Sequence, residues 1–180
     1  MSSYNIIRRL PLIILLALPL MAQTVTDIPL DRMVGESETI FVGTVLETRG
    51  GLDENGDIAT WTTFRVDQPV RGMLPGGTRT VKQFGGTAEG MSSTIEHMRY
   101  FTEGERVLVM FYPESRLGYT SPIGLSQGVW PVLEGGLISG LRAENLEGVD
   151  PALLERYDLA DGAPPSYPVN RFVEMLGEMR

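Results

Sequence analysis

The spacing of apolar residues changes twice along this chain. Residues 10–20 form one apolar run broken only by prolines, residues 39–133 alternate apolar and polar in short stretches, and residues 169–179 return to a helical spacing. A period of two marks strands and a period of 3.6 marks helix. Over residues 39–49, Ile40, Val42, Thr44 and Leu46 alternate with Phe41, Gly43, Val45 and Glu47, so the run begins apolar on both faces and predicts a central strand. Residues 50–57 are a turn cluster, and residues 58–66, with Trp61 and Phe64, alternate again. The pair predicts a hairpin in which Asn55-Gly56 supplies positive φ angles. A third strand is expected over residues 78–84, ended by Gly85-Gly86, with a long loop from 85 to 103. Residues 105–112 carry the buried-strand run Val107-Leu108-Val109-Met110-Phe111, and residues 119–120 and 124–133 offer one or two short strands more. Residues 39–133 therefore read as five or six antiparallel strands. Val42, Val45, Phe64, Val66, Val107, Val109 and Phe111 are expected to make much of the core, and Trp61 and Trp130 to pack there too.

Helix is expected only at the margins. Residues 30–37 place Leu30, Met33 and Val34 on one side. After Pro168, the residues Val169, Phe172, Val173, Leu176 and Met179 form an amphipathic stripe. Its polar face carries Glu174 and Glu178 with few arginines, so the helix should cap the sheet instead of lying on a membrane. Residues 134–166 are acidic and rich in Gly and Pro, and predict a surface excursion with one helical turn around 151–157.

Composition narrows the partners. The 180 residues carry 15 basic and 23 acidic side chains, net -8. Arg8 and Arg9, the apolar run and Met21-Ala22 read as a signal peptide over 1–22, too short for a comfortable bilayer span. Its removal takes two arginines and no acid, leaving net -10. The expected location is the periplasm or the medium, with no nucleic-acid partner and no membrane contact after cleavage. The chain has no cysteine and one histidine, which excludes disulfides, thiolate zinc sites and cysteine nucleophiles and leaves few routes to a histidine-based site. No cofactor and no metal are expected.

Three segments invite a chemical reading. Gly124-Leu125-Ser126-Gln127-Gly128 matches the G-x-S-x-G nucleophile elbow, which needs a following helix; Val129-Trp130-Pro131-Val132-Leu133 predicts an extended chain instead, and His97 precedes the serine. Asp53-Glu54-Asn55-Gly56-Asp57 has the oxygen-rich look of a calcium loop, but the position of the bidentate acid is Phe64, so a solvated turn is expected. His97 stands in the long loop beside Glu96 without a partner histidine. The pairs Gly76-Gly77 and Gly85-Gly86 lack the Lys-Ser/Thr of a phosphate loop.

The order of these fragments carries a resemblance: Glu36-Ser37-Glu38, then Ile40-Phe41-Val42-Gly43-Thr44-Val45, Thr63-Phe64-Arg65-Val66 with Val70-Arg71-Gly72, Gly85-Gly86, Phe101 with Gly104-Glu105-Arg106-Val107-Leu108-Val109, and Gly124-Leu125-Ser126-Gln127-Gly128. Over residues 30–133 the chain resembles a group of uncharacterised exported bacterial proteins whose expected fold is an OB-type barrel, similar to the tissue inhibitor of metalloproteinases and netrin-like modules. The resemblance implies a mainly β, five- to six-stranded antiparallel OB-like barrel over 23–133, with residues 134–180 packed on it. It also implies that the Gly-Leu-Ser-Gln-Gly segment is part of a strand and that a secreted metalloprotease is a conceivable partner. Inhibitors of that kind chelate zinc through an N-terminal cysteine, whereas the expected mature end here is Gln23, so any inhibition must use another surface.

The expected function is thus an exported, non-enzymatic binding module for a protein or glycan, with no committed catalytic residue. Tyr100, Phe101 and His97 in the long loop are the candidate contact residues. The alternatives are regulation of a secreted metalloprotease and, more remotely, a serine hydrolase using Ser126.

Overall fold

The computed structural model describes residues 27–72 and 77–179, so the signal-peptide segment lies outside the described residues. The chain runs α1 (Leu30–Glu36), β1 (Thr39–Leu52), β2 (Ile58–Arg71), β3 (Thr78–Phe84), β4 (Gly86–Ala88), β5 (Met91–Ser93), β6 (Arg106–Phe111), β7 (Val129–Leu133), β8 (Leu137–Ser139), a 3₁₀ turn (Ala143–Leu146), α2 (Pro151–Arg156), β9 (Ser166–Pro168) and α3 (Val169–Glu178). Seven strands form one antiparallel sheet in the order β3-β2-β1-β6-β7-β8-β9, and β4 with β5 forms a small separate hairpin. In its ladders the sheet is open, with β3 and β9 as edges. Beyond β7 it is extended by β8, which comes from the segment expected to be a surface excursion, and by β9, which starts at that segment's last residue. Among the described residues no helix is long and apolar enough to cross a membrane.

The apolar start of β1 explains the layering. Alternate side chains of a strand point to opposite faces, so Ile40 and Val42, with Leu108 and Met110 of β6, enter one core, while Phe41 and Val45, with Val107, Val109 and Phe111, enter another. The second core is aromatic: Phe41 and Phe64 meet edge to face at 5.5 Å, and Phe64 and Phe101 at 5.0 Å. Such geometry adds about 0.5–1.5 kcal/mol per pair beyond the area buried. The first core is closed by Leu30, Met33 and Val34 of α1 and by Phe172, Met175 and Leu176 of α3, with Trp130 against Phe172 at 5.6 Å.

The expected core set is buried throughout, and both helices fall where the spacing places them. Residues 134–166 are a correction. Leu141, Leu146, Val149, Tyr157 and Leu159 are buried in the α1/α3 core, although they follow no regular period because turns, not long elements, aim them inward. Trp61 is a second correction: it is only half-buried, on the outer face of β2, with the Arg49 guanidinium 4.4 Å above its ring. The first turn is also shorter than expected, since β1 continues through Leu52.

Candidate functional site

The two polar segments singled out in the sequence fold into very different places. In the first turn, Asp53 Oδ1 accepts the backbone N–H groups of Asn55 and Asp57, each at 2.9 Å, which holds the loop closed. Its Oδ2 faces the Lys82 ammonium at 2.8 Å and accepts the Tyr119 hydroxyl at 2.7 Å. Lys82 also lies 4.2 Å from the Tyr119 ring centroid and reaches Glu54 at 3.1 Å. The Lys82 ammonium, helped by Tyr119 and the two N–H groups, holds the Asp53 carboxyl far below the usual carboxylate range against the burial that would raise it. Burial, with donation to Asp53, pushes the Tyr119 phenol up to about 12. Every polar atom of Asp53 is thus consumed internally, and the lysine stands where a cation would bind. The cluster fastens the β1–β2 turn to β3 and to the chain at 119.

The second place is a cleft of about 610 Å³, and it begins with a proline. Met110 N–H donates to Gly128 C=O at 2.9 Å, and β6 pairs Leu108 with Trp130. Hydrogen bonding alternates along an antiparallel ladder, so Trp130 turns its backbone groups toward β6 while Val129 and Pro131 turn theirs away. On that far side β8 pairs only Val132 with Ile138 and Leu133 with Leu137. Pro131 has no N–H to continue the ladder. The chain after Ser139 departs through Gly140, and the sheet splits. One wall of the split is Val129, Trp130 and Pro131; the other is Ser139, Gly140 and Arg142; the turn at 124–127 and His97 close one end. Among the described residues nothing hydrogen-bonds to the N–H or C=O of Val129.

The closed end is conformationally strained. His97 and Leu125 both have positive φ, 64° and 65°, and Arg99 N–H donates to Leu125 C=O at 3.0 Å, which ties the two segments together. Non-glycine residues in this region cost on the order of 1–3 kcal/mol and cluster at functional sites. Gly124, at φ 57°, is required twice over: a Cβ there would come within 2.8 Å of Ile28 Cδ1. The chain at 27–28 is seated against this end. Ile28 N–H donates to Gln127 Oε1 at 2.8 Å, Asn145 Nδ2 donates to Ile28 C=O at 3.4 Å, and Asp27 pairs with Arg142.

The candidate contact residues do not stay together. His97 is exposed at the cleft. Tyr100 donates its hydroxyl to Phe84 C=O at 2.8 Å and is half-buried. Phe101, 3% exposed between Phe64 and Phe111, is a core ring and has no face left for a partner. Residues 124–128 are turn, not strand, and β7 follows them instead of a helix, so the elbow geometry is not present. Ser126 and His97 line one cleft, yet among the described residues no hydrogen bond joins them, and the nearest acid to His97 is Glu96, 3.5 Å away and 89% exposed. No group of three or more His, Asp or Glu among the described residues is arranged to hold a metal. The sequence reading missed Val129, Arg142, Ser139 and Asn145; the one signal that pointed to them was a proline inside a predicted strand.

Fold and site together define a mainly β protein with a split in its sheet beside a strained turn. No family model, no curated protein and no solved structure matches the chain.

Proposed function

We propose that this protein is an exported, non-enzymatic binding module that contacts a protein ligand through the cleft between β7 and β8. The observation that carries the reading is the coincidence of two strained residues, His97 and Leu125, with a strand edge at Val129 whose backbone groups no described residue engages. Strain is retained where a backbone position serves something other than stability, and an unpaired edge inside a cleft accepts main-chain partners. The scaffold is an OB-type barrel in which residues 119–123 close β6 back toward β3. In support, Lys82 forms a parallel bridge with Tyr119 and Phe111 an antiparallel bridge with Pro122, and Thr120 N–H donates to Lys82 C=O at 2.9 Å.

Capture of a partner from the periplasm or culture medium on the immobilised protein tests this. Ser126→Arg, at an exposed position on the cleft rim, should abolish capture while leaving the fold intact. Equal capture by both forms would remove the cleft from the reading. That Ser126 and His97 line one cleft favours a second reading, serine hydrolysis, for which the test is labelling by a fluorophosphonate probe that disappears in Ser126→Ala.

A further inference from the structure

We propose that the outer face of the sheet carries a second binding site, for one tetrahedral oxyanion, the phosphate or sulfate group of a small ligand, held between Arg65 of β2 and Arg106 of β6. The site shares no residue with the cleft and does not rest on the reading of it. Register builds it. Thr44 of β1 faces Arg65 on one side and Arg106 on the other. Residues directly opposite in a ladder point to the same face, so the two arginines stand in one row across three strands, their Cα atoms about 10 Å apart. Gly43 faces Val66 and Val42 faces Gln68, which leaves Asp67 as the extra residue of a bulge, and a bulge re-aims a side chain. Here it brings the Asp67 carboxylate into the row: Oδ1 accepts Arg65 Nε at 3.0 Å, and Oδ2 accepts Arg106 Nε at 3.1 Å and the Thr44 hydroxyl at 2.9 Å.

The arrangement holds more positive charge and more donors than it uses. Burial would raise the Asp67 carboxyl, but Thr44, Arg65 and Arg106 hold it below the usual carboxylate range, so it stays ionised and neutralises only one of the two guanidiniums. Exposed ion pairs return little stability, and a second cation beside the first costs stability unless an anion joins them. Each guanidinium is tethered through Nε, and Arg65 Nη2 also reaches Thr44 Oγ1 at 3.3 Å; among the described residues, Arg65 Nη1 and both Nη atoms of Arg106 meet no acceptor. The two side chains are 55% and 37% exposed, so solvent and ligand reach them. Three donor nitrogens match the three oxygens of a phosphate or sulfate ester better than the two of a carboxylate, and guanidinium forks suit such groups. Tethering by Asp67 also lowers the rotamer entropy lost on binding. Glu47, opposite Thr63 on the same face, and Glu174 of α3, which lines a shallow groove with Asp67, form no ion pair with either arginine among the described residues. Together with the net charge of -8 they repel a polyanion, so the ligand is compact and carries one such group.

Titration of the full chain with inorganic phosphate, at constant ionic strength balanced with chloride and followed through the arginine Nε–Hε NMR resonances, tests the site. The Arg65 and Arg106 signals should shift together and saturate with a dissociation constant of about 1 mM, the level that two exposed charge-assisted pairs support. Inorganic sulfate should act alike, and acetate should bind more weakly. Shifts that grow without saturating, or saturation that leaves these two signals unmoved, would overturn the proposal, and equal binding of acetate would overturn the tetrahedral assignment. Methyl phosphate should bind as well as inorganic phosphate, because three oxygens remain; its exclusion would assign the site to the free ion and overturn the ester. Arg106→Gln, which leaves Asp67 with Arg65 and Thr44, should weaken phosphate binding at least about tenfold, the loss of one charge-assisted pair. Arg106→Lys keeps the charge and the partner carboxylate but loses the fork, and should also bind more weakly. Undiminished binding by Arg106→Lys would mean that charge alone attracts the ion, and would overturn the clamp.

Discussion

The turn at Asp53 and the turn at 124–128 look equally chemical in the sequence, one like a calcium loop and the other like a nucleophile elbow, yet they fold to opposite ends of a scale. At Asp53 each carboxylate oxygen has its partners from Asn55, Asp57, Lys82 and Tyr119. At 124–128 the backbone is strained at Leu125, His97 lines the same cleft, and the neighbouring strand keeps backbone groups on Val129 that no described residue engages. A polar cluster whose atoms are all satisfied stabilises the fold and has nothing to offer a ligand. Unspent hydrogen-bonding capacity, not the count of polar residues, separates a candidate site from a well-made turn.

The largest effect that sharpens this contrast comes from the cleft's wall. Trp130 is 2% exposed and packs edge to face on Phe172, so the cleft is cut into the core and not added to the surface. Trp130→Ala should cost about 3–5 kcal/mol, read as a lower denaturant midpoint. A loss below about 1 kcal/mol would mean that the wall is loosely packed and the cleft not preformed.

Next is the turn. Tyr119→Phe keeps the ring against Phe84 and Lys82 and removes only the hydrogen bond to Asp53; a bond to a charged acceptor predicts a loss of about 1.5 kcal/mol. Its pH dependence has a definite sign. The folded Tyr119 pKa of about 12 lies above the ordinary 10.0, so its stabilisation is fully present below pH 10 and disappears as pH rises toward 12. The gap between the natural chain and Tyr119→Phe should therefore be constant through neutral pH and close in that alkaline window. Asp53 behaves in the opposite direction. Its depressed pKa contributes stability above the ordinary carboxylate value of about 3.9, lost as pH falls through the folded value. Urea midpoints measured across pH would show both arms.

These residues also mark how far the sequence could be read. Period-two patterning placed β1, β2, β3 and β6, because long strands impose alternation on many residues at once. The helical stripe placed α3 for the same reason. The three-residue strands β8 and β9 are too short for any period to register, and composition hid β8 in an acidic segment. Phe101 was read as a surface ring because it follows a polar loop; only the meeting of β1, β2 and β6 buries it. The cleft was legible at one point, Pro131, where a strand must lose its ladder. Lys82, a residue in an unremarkable alternating run, gave no sign that it would fill the turn.

Backbone strain gives a smaller effect with opposite signs in the two places. Gly56 has φ 82° and open space around the position of a Cβ, so Gly56→Ala carries a purely conformational cost of about 1 kcal/mol. His97 has φ 64° with an exposed side chain. His97→Gly relieves a similar strain and gives back part of it as unfolded-state entropy, so the protein should gain about 0.5 kcal/mol while partner capture falls. A destabilised His97→Gly would show that the histidine is held for packing, and the contrast between a finished turn and a strained one would weaken.

The smallest expected effect is on calcium binding. A calcium ion needs six to eight oxygens and, in loops of this spacing, a bidentate acid at the last position; here that position is Phe64, 0% exposed in the aromatic core. Asp53 Oδ2 is already engaged by Lys82 and Tyr119, so an arriving cation would have to expel an ammonium group 2.8 Å away before finding its first ligand. Calorimetric titration with calcium should therefore give no saturable heat. A saturable heat that vanished in Asp57→Asn would show ligands to spare in the turn, and would make it, and not the cleft, the place where this protein meets its partner.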